Sequence, residues 1–235
     1  MSEAQRTRRK RLGAWYTPPE LVRAIVSEAV FPEARSVLDP ACGDGRFLTA
    51  SGLDDVVGVD IDPQAPWAHA IHDNALTRNW GGRQFDVVLG NPPWERVKLQ
   101  EQEFFASRDL AIANAVNAAA RKTLIKALPD TDPALWAEWC DASREAEGQS
   151  HFIRNTGRYP LCGRGDVNTY AVFAEHNRAV LAVNGRAGFI VPTGIVTDDG
   201  TKDYFSSVVS MGQLVSVYDF ENRRPLFTSV DRRFR

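Results

Sequence analysis

The sequence predicts an α/β domain built on a doubly wound, mostly parallel sheet. Short runs rich in Val and Leu alternate with helical stretches along the 235 residues, the pattern of a parallel sheet covered by helices on both faces. Apolar residues form 43% of the chain, which is ordinary for a globular protein. No apolar run approaches the roughly 20 residues of a membrane helix. The first residues also lack the apolar stretch of a signal peptide, so we expect a cytoplasmic protein without membrane contact.

Each element follows from a local pattern. Strands are predicted near residues 36–38, 56–59, 70–71, 85–89, 187–191 and 214–220, the third being the weakest. A helix should precede the first strand and run to about Val30, because Thr17 is a suitable N-cap and Pro18 and Pro19 suit a first helical turn.

The organisation changes after the fourth predicted strand. Ala-rich helices are expected at roughly 101–128 and 133–147, broken between Pro129 and Pro133 and followed by a polar loop, residues 155–168. We interpret about 95–167 as a helical insertion between the fourth and fifth strands. Residues 1–12 are expected to form a basic tail, and residues 13–235 a catalytic domain whose last strand is cut off.

Charge and cysteine content exclude some classes of protein. The formal net charge of −2 does not suit a domain that grips nucleic acid through many phosphate contacts by itself. The three cysteines are far apart and odd in number, and no histidine lies at a ligand-like interval from them. We therefore expect neither a disulfide framework nor a metal site.

Acidic residues and glycines follow the first two predicted strands. Asp39 ends the first strand, and Gly43 and Gly45 then allow the backbone to pass close to a ligand. Asp60 follows about 20 residues later, where doubly wound proteins place a carboxylate on ribose hydroxyls. Asp62 precedes Pro63 and is interpreted as the N-cap of a following helix.

A further carboxylate, Asp73, follows the short third strand, where it could accept a hydrogen bond from an adenine amine. A turn aspartate is the competing interpretation.

The fourth predicted strand ends in Asn91-Pro-Pro-Trp94. Two prolines stiffen the backbone and remove two N–H donors, so carbonyl oxygens lie beside the acceptor oxygen of Asn91. Such a loop can grip the hydrogens of a planar amine and favour its pyramidal, nucleophilic form. Trp94 offers a flat apolar face on which a base taken out of the stack can lie.

These motifs together resemble the gamma-class N6-adenine DNA methyltransferases, most of all the large enzymes of type II restriction and phage-defence systems. The resemblance implies the Rossmann-like fold of class I S-adenosylmethionine-dependent methyltransferases and S-adenosylmethionine as cofactor. It places Thr17 at the methionine end of the cofactor and gives Phe227 a role in holding the target base. The motif residues that match are Thr17, Asp39, Ala41, Gly43, Gly45, Asp60 and Asp73 for the cofactor, and Asn91, Pro92 and Trp94 for catalysis.

The resemblance implies a substrate of double-stranded DNA with a flipped adenine. The family's target-recognition domain has no counterpart in these residues, so a recognition or nuclease partner is expected in the intact system. Three alternatives remain open: methylation of a glutamine amide in protein, methylation of a guanine amine in RNA, and an inactive fragment that only binds cofactor.

Overall fold

The computed structural model of the chain describes residues 16–220 and residue 227. In chain order the strands are β1 Ser36–Asp39, β2 Asp55–Asp60, β3 Ile71–His72, β4 Phe85–Gly90 and β5 Leu181–Phe189. All of them pair in parallel, in the order β3-β2-β1-β4-β5. The predicted α/β fold is confirmed. Because the strands are parallel, the segments that follow them all leave from the same edge of the sheet.

Helices occur before, between and after these strands along the chain. They are α1 Pro19–Ala29, α2 Arg46–Ser51, α3 Glu101–Phe105, α4 Leu110–Ala113, α5 Ala118–Thr131, α6 Pro133–Asn155, α7 Thr169–Ala179, α8 Gly194–Thr197 and α9 Lys202–Ser210, with a 3₁₀ turn at Asp199–Thr201. The chain divides into two compact units. One holds the described residues up to Glu95 and from Tyr159 onward, and the other is Arg96–Arg158.

The central strands are buried on both faces. Val37 and Leu38 of β1 are fully buried, although successive side chains of a strand point to opposite sides of a sheet. On one of these faces, Val37 and Val87 of β4 belong to a cluster that includes Val22 of α1 and Phe47 of α2. Burial on both faces explains why these strands are continuous apolar runs in the sequence.

The fifth strand begins earlier than predicted. It covers Leu181–Phe189 rather than 187–191, and its first half is largely exposed, with Val183 95% accessible. The exposed, partly polar stretch around Asn184 and Gly185 lacks the apolar pattern of a buried strand. Pairing with β4 decides the strand here. A Cβ at Gly185 would lie 2.9 Å from the carbonyl oxygen of Asp86, so glycine permits this close approach.

The strand predicted at residues 214–220 was wrong. In the structure this segment is described but belongs to no strand. Its apolar side chains are largely exposed, with Val215 84% and Tyr218 71% accessible. Alternation of apolar and polar residues expresses a preference for extended backbone, but a strand also needs a neighbour to pair with its N–H and C=O groups. Among the described residues none pairs with this segment.

Helix α1 lies where it was predicted, but Thr17 is not its N-cap. Pro18 holds the N-cap position, without a side-chain hydrogen bond, and Pro19 is the first helical residue. A proline cannot cap through its side chain, so the first turn instead benefits from the φ angle that Pro19 fixes.

The unit Arg96–Arg158 is helical, with more breaks than predicted. The expected helix 101–128 is divided into α3, α4 and α5, because Asp109 and Asn117 cap new helices by accepting backbone N–H groups. Pro129 does not end α5, which continues to Thr131, and Asp132 then caps α6. The unit has its own core, which includes Phe104, Phe105, Ile112 and Leu128, with Trp139 stacked on Phe105.

Candidate active site

The segments after β1, β2 and β4 meet at one edge of the sheet. Asp39 and Asp60 are the last residues of β1 and β2, and Gly90 is the last residue of β4. A Cβ at Gly90 would lie only 2.9 Å from a carboxylate oxygen of Asp39. Glycine therefore lets the start of the Asn91-Pro-Pro-Trp94 segment pass directly beside the buried carboxyl of Asp39.

Burial dominates the chemistry of Asp39. The residue is 1% exposed, and Oδ1 accepts the N–H of Ala41 at 3.1 Å. Desolvation raises the pKa of the Asp39 carboxyl to about 8, and the nearby carboxylates of Asp60 and Asp44 act in the same direction. A neighbouring cation would favour the charged form of this group.

Asp60 is oriented by the loops beside it. Oδ2 accepts the N–H of Gly43 and Oδ1 accepts the N–H of Asp62, both at 2.8 Å. Burial raises the pKa of Asp60, and these two backbone hydrogen bonds oppose that shift. A carboxylate has about four acceptor positions, so Asp60 keeps capacity for hydroxyl donors. Asp62 accepts the N–H of Gln64 in a turn, and no helix follows it, so the predicted helix cap at Asp62 was wrong.

The glycine loop is packed against aromatic side chains of the chain itself. Gly43 and Gly45 adopt positive φ angles of 52° and 72°, which glycine tolerates best. A Cβ at Gly43 would lie 3.2 Å from Cε1 of Tyr16, and one at Gly45 would lie 2.3 Å from Cδ1 of Trp67. Close approach to a ligand is the role that the sequence predicts for both glycines. The structure shows that they also make room for two rings.

Thr17 is held at this loop by Arg46. Thr17 is 2% exposed, and its carbonyl accepts a hydrogen bond from Nη1 of Arg46. The same guanidinium contacts both carboxylate oxygens of Asp44, at 2.9 Å from Nε and 2.5 Å from Nη2, and lies 5.1 Å from the ring centroid of Tyr16. Arg46 was not among the residues predicted from the sequence. Its position, directly after Gly45 at the start of α2, was the available signal.

Asp73 has a partner that the sequence did not reveal. Its Oδ1 accepts the N–H of Asn74 at 2.7 Å, and its Oδ2 lies 2.5 Å from Nη1 of Arg78. The Asp73 side chain is still 37% exposed. A hydrogen bond from an adenine amine would therefore have to share this carboxylate with Arg78.

Trp94 and Phe227 are brought together although they are far apart in the sequence. Their rings meet edge to face, with centroids 6.5 Å apart and an interplanar angle of 63°. Trp94 also donates from Nε1 to the carbonyl of Ile190 at 3.4 Å, and Phe227 is 7% exposed. The two residues assigned to the target base by resemblance are thus neighbours.

Helix α7 begins against the segment that carries Asn91. Thr169, the first residue of α7, donates from Oγ1 to the carbonyl of Pro93 at 2.7 Å and accepts the N–H of Glu95 at 3.0 Å. Asn168 is the N-cap but makes no side-chain capping bond. Within the part of the chain that the structure describes, Oδ1 of Asn168 is buried without a hydrogen-bond partner.

Two findings concern absences within residues 16–220 and 227. Their helices include none long and apolar enough to cross a membrane. Their His, Cys, Asp and Glu side chains form no group of three or more that could hold a metal ion.

The five parallel strands have a Rossmann-like order, β3-β2-β1-β4-β5. A solved structure from Listeria monocytogenes, described as a class I S-adenosylmethionine-dependent methyltransferase, aligns over 83% of this chain and 51% of its own, with a TM-score of 0.46 and 17% identity.

Sequence comparison is more specific. Residues 1–55 match the family model named N-6 DNA Methylase. The type II methyltransferase M.TthHB8I of Thermus thermophilus is 31% identical over 200 residues, which are 80% of this chain and 36% of that protein. A ribosomal protein L11 methyltransferase of Laribacter hongkongensis is 44% identical over 70 residues, 24% of this chain and 23% of that protein. The chain spans about a third of the length of the Thermus relative.

Proposed function

We propose that this chain transfers the methyl group of S-adenosylmethionine to the N6 amine of adenine in double-stranded DNA, as part of a restriction–modification or phage-defence system in the cytoplasm. The observation that carries the proposal is the segment Asn91-Pro-Pro-Trp94, which leaves β4 beside the buried carboxyl of Asp39. It combines amine acceptors with an aromatic face at the edge of the sheet where the carboxylates lie.

The residues at this edge suit the proposed cofactor. The Asp60 carboxylate is oriented to accept hydrogen bonds from ribose hydroxyls before the cofactor binds, because two backbone N–H groups hold it in place. Asp39 has a pKa of about 8, so its charged form would be stabilised by a cationic ligand. Thr17 would lie at the methionine end and Asp73 at the adenine end. When bound, S-adenosylmethionine supplies a methyl group made electrophilic by the sulfonium.

The acceptors for the target amine can be assigned within the segment. The carbonyl of Pro93 already accepts the hydroxyl of Thr169. We assign the two amine hydrogens to the side-chain oxygen of Asn91 and the carbonyl of Pro92. Acceptors that act on these hydrogens draw electron density onto the nitrogen, and they help most as its lone pair leaves the ring in the transition state.

Capture of the base is assigned to Trp94, with Phe227 at its edge. An adenine must leave the duplex before its amine can reach acceptors at the edge of a sheet, and stacking on an aromatic ring offsets part of the unstacking cost. A domain with a net charge of −2 has little overall electrostatic attraction to the phosphates of DNA. We therefore propose that recognition of the target DNA sequence depends on a further domain or partner. A nuclease of the same system could use the same recognition element.

The test is methyl transfer measured in parallel on DNA, RNA and protein, with N6-methyladenine quantified in the DNA. Asn91→Ala should lower the transfer rate on the order of 10²–10³-fold with unchanged cofactor affinity, because the lost acceptor acts mostly in the transition state. Asn91→Asp, which keeps acceptor oxygens, is the matched control and should lose less.

Substitutions of Trp94 distinguish binding of the extruded base from the methyl-transfer step. Trp94→Ala should weaken binding of the extruded base by about 1–3 kcal/mol, while Trp94→Phe should retain much of the activity. Adenine methylation undiminished in Asn91→Ala would contradict the mechanism. Transfer only to a protein is the alternative that the match to a ribosomal protein L11 methyltransferase favours, although that match covers 24% of the chain. Such a result, or transfer only to RNA, would contradict the substrate.

A further inference from the structure

The segment Asn91-Pro-Pro-Trp94 has few means of holding its own shape. Pro92 and Pro93 have no N–H group, so neither can donate a hydrogen bond that would close a turn. Proline fixes the φ angle of each residue, and Pro93 also restricts the ψ angle of Pro92, but the ψ angle of Pro93 is not restricted in this way and decides where the Pro93 carbonyl oxygen points. The direction of the Pro93 carbonyl therefore depends on a donor from elsewhere in the fold.

Thr169 supplies that donor. Its Oγ1 lies 2.7 Å from the carbonyl oxygen of Pro93, 76 residues earlier in the chain. The same oxygen accepts the N–H of Glu95 at 3.0 Å. It also lies 2.9 Å from the carbonyl oxygen of Glu95, but that oxygen already accepts the backbone N–H of Thr169 at 2.8 Å, and the Pro93 carbonyl is the nearer acceptor for the hydroxyl proton. One residue thus contacts the chain on both sides of Trp94.

The Thr169 hydroxyl does not serve its own helix. Threonine at a helix N-terminus commonly caps the first turn by accepting a backbone N–H. Here Asn168 holds the N-cap position, and the Thr169 hydroxyl bonds to Pro93 and Glu95 instead. Helix stability alone does not account for this arrangement.

We propose that Thr169 is a positioning residue for methyl transfer. By binding the carbonyl of Pro93 it fixes the peptide between Pro93 and Trp94. Because the Pro92–Pro93 pair is rigid, this also orients the Pro92 carbonyl, which together with the Asn91 side chain faces the target amine. It also removes the Pro93 carbonyl as a competing acceptor. The inference rests on the proposed function and adds a residue outside the segment to its machinery.

The test compares Thr169→Val with Thr169→Ser in the full-length protein. Valine matches the shape of threonine but can neither donate nor accept, whereas serine keeps the hydroxyl. Thr169→Val should reduce the single-turnover rate of adenine methylation on the order of 10- to 100-fold, since small displacements of aligned groups have effects of this size. Thr169→Ser should retain most of the rate.

Matched measurements distinguish positioning from folding. Cofactor affinity by calorimetry and the melting temperature should change little in Thr169→Val. Hydrogen exchange at the backbone N–H of Glu95 should become faster, because that group loses its acceptor. Thr123→Val is the control, since the Thr123 hydroxyl donates only within its own helix, to the carbonyl of Ala119.

Each outcome decides the proposal. A Thr169→Val protein that methylates at the wild-type rate would overturn it. Parallel losses of rate, cofactor affinity and melting temperature would also overturn it, since they indicate a general structural role. If the wild-type protein methylates no adenine in DNA, the proposed function fails. The exchange rate at Glu95 then decides separately whether Thr169 orders the segment, and unchanged exchange would reject that as well.

Discussion

Replacing Asp60 tests the cofactor site at its most preorganised residue. Both carboxylate oxygens accept backbone N–H groups at 2.8 Å, so the side chain is already oriented before a ligand binds. A charge-assisted hydrogen bond from a ribose hydroxyl should contribute about 1.5–3 kcal/mol. Asp60→Ala should therefore weaken S-adenosylmethionine binding roughly 10- to 150-fold.

The neighbouring Asp62 provides a matched control. It has the same charge and lies on the same loop, but it accepts the N–H of Gln64 at an exposed position. Asp62→Ala should change the affinity less than about twofold, since a surface charge some distance from the ligand is screened.

Isothermal titration calorimetry on the chain measures both variants without needing DNA. Asp60→Ala also leaves the N–H groups of Gly43 and Asp62 without their acceptors, which can cost about 1–3 kcal/mol of stability for each. Asp60→Asn keeps one acceptor oxygen and is the second variant if the alanine protein does not fold. Unchanged affinity in a folded Asp60 variant would refute the assignment, as would an equal loss in Asp62→Ala.

Two further predictions concern the same edge of the sheet. Because burial raises the pKa of Asp39 to about 8 from 3.8, the folded chain binds this proton more tightly than the unfolded chain. The contribution of Asp39 protonation to the free energy of unfolding is fully present below about pH 4. It is lost as the pH rises towards 8, by at most about 1.4 kcal/mol per pH unit. Urea unfolding across this range should show the fall and Asp39→Asn should flatten it, whereas equal slopes would refute the pKa argument. Arg46→Met should lower both cofactor affinity and stability by about 1 kcal/mol, because Thr17 loses its tether. Arg23→Met, at an exposed ion pair, is the control in calorimetry and urea unfolding, and an equal effect there would remove the special role of Arg46.

Local patterns were enough for the strands at the centre of the sheet. β1 and β4 are buried on both faces, so their sequences had to be continuous apolar runs, and such runs are visible without a structure. The same reasoning failed at the edge. β5 begins at Leu181 and passes through the exposed, partly polar stretch around Asn184 and Gly185, and residues 214–220 alternate as a strand does but belong to none. Edge strands depend on which neighbour pairs with them, and a local pattern does not contain that information.

The sequence by itself determined which functional residues lie at the ends of the parallel strands. Asp39 and Asp60 end their strands and Asn91 directly follows one, and parallel strands bring such residues to one edge whatever the details of packing. The tertiary structure alone decided the partners of these groups. Arg46 donates a hydrogen bond to the carbonyl of Thr17, and Arg78 pairs with the carboxylate of Asp73. The Thr169 hydroxyl donates to the carbonyl of Pro93, 76 residues earlier in the chain. Burial likewise set the pKa of Asp39 at about 8. Partner choice and desolvation arise from side chains that meet only after the sheet and its helices have packed, so they have no signature in local spacing.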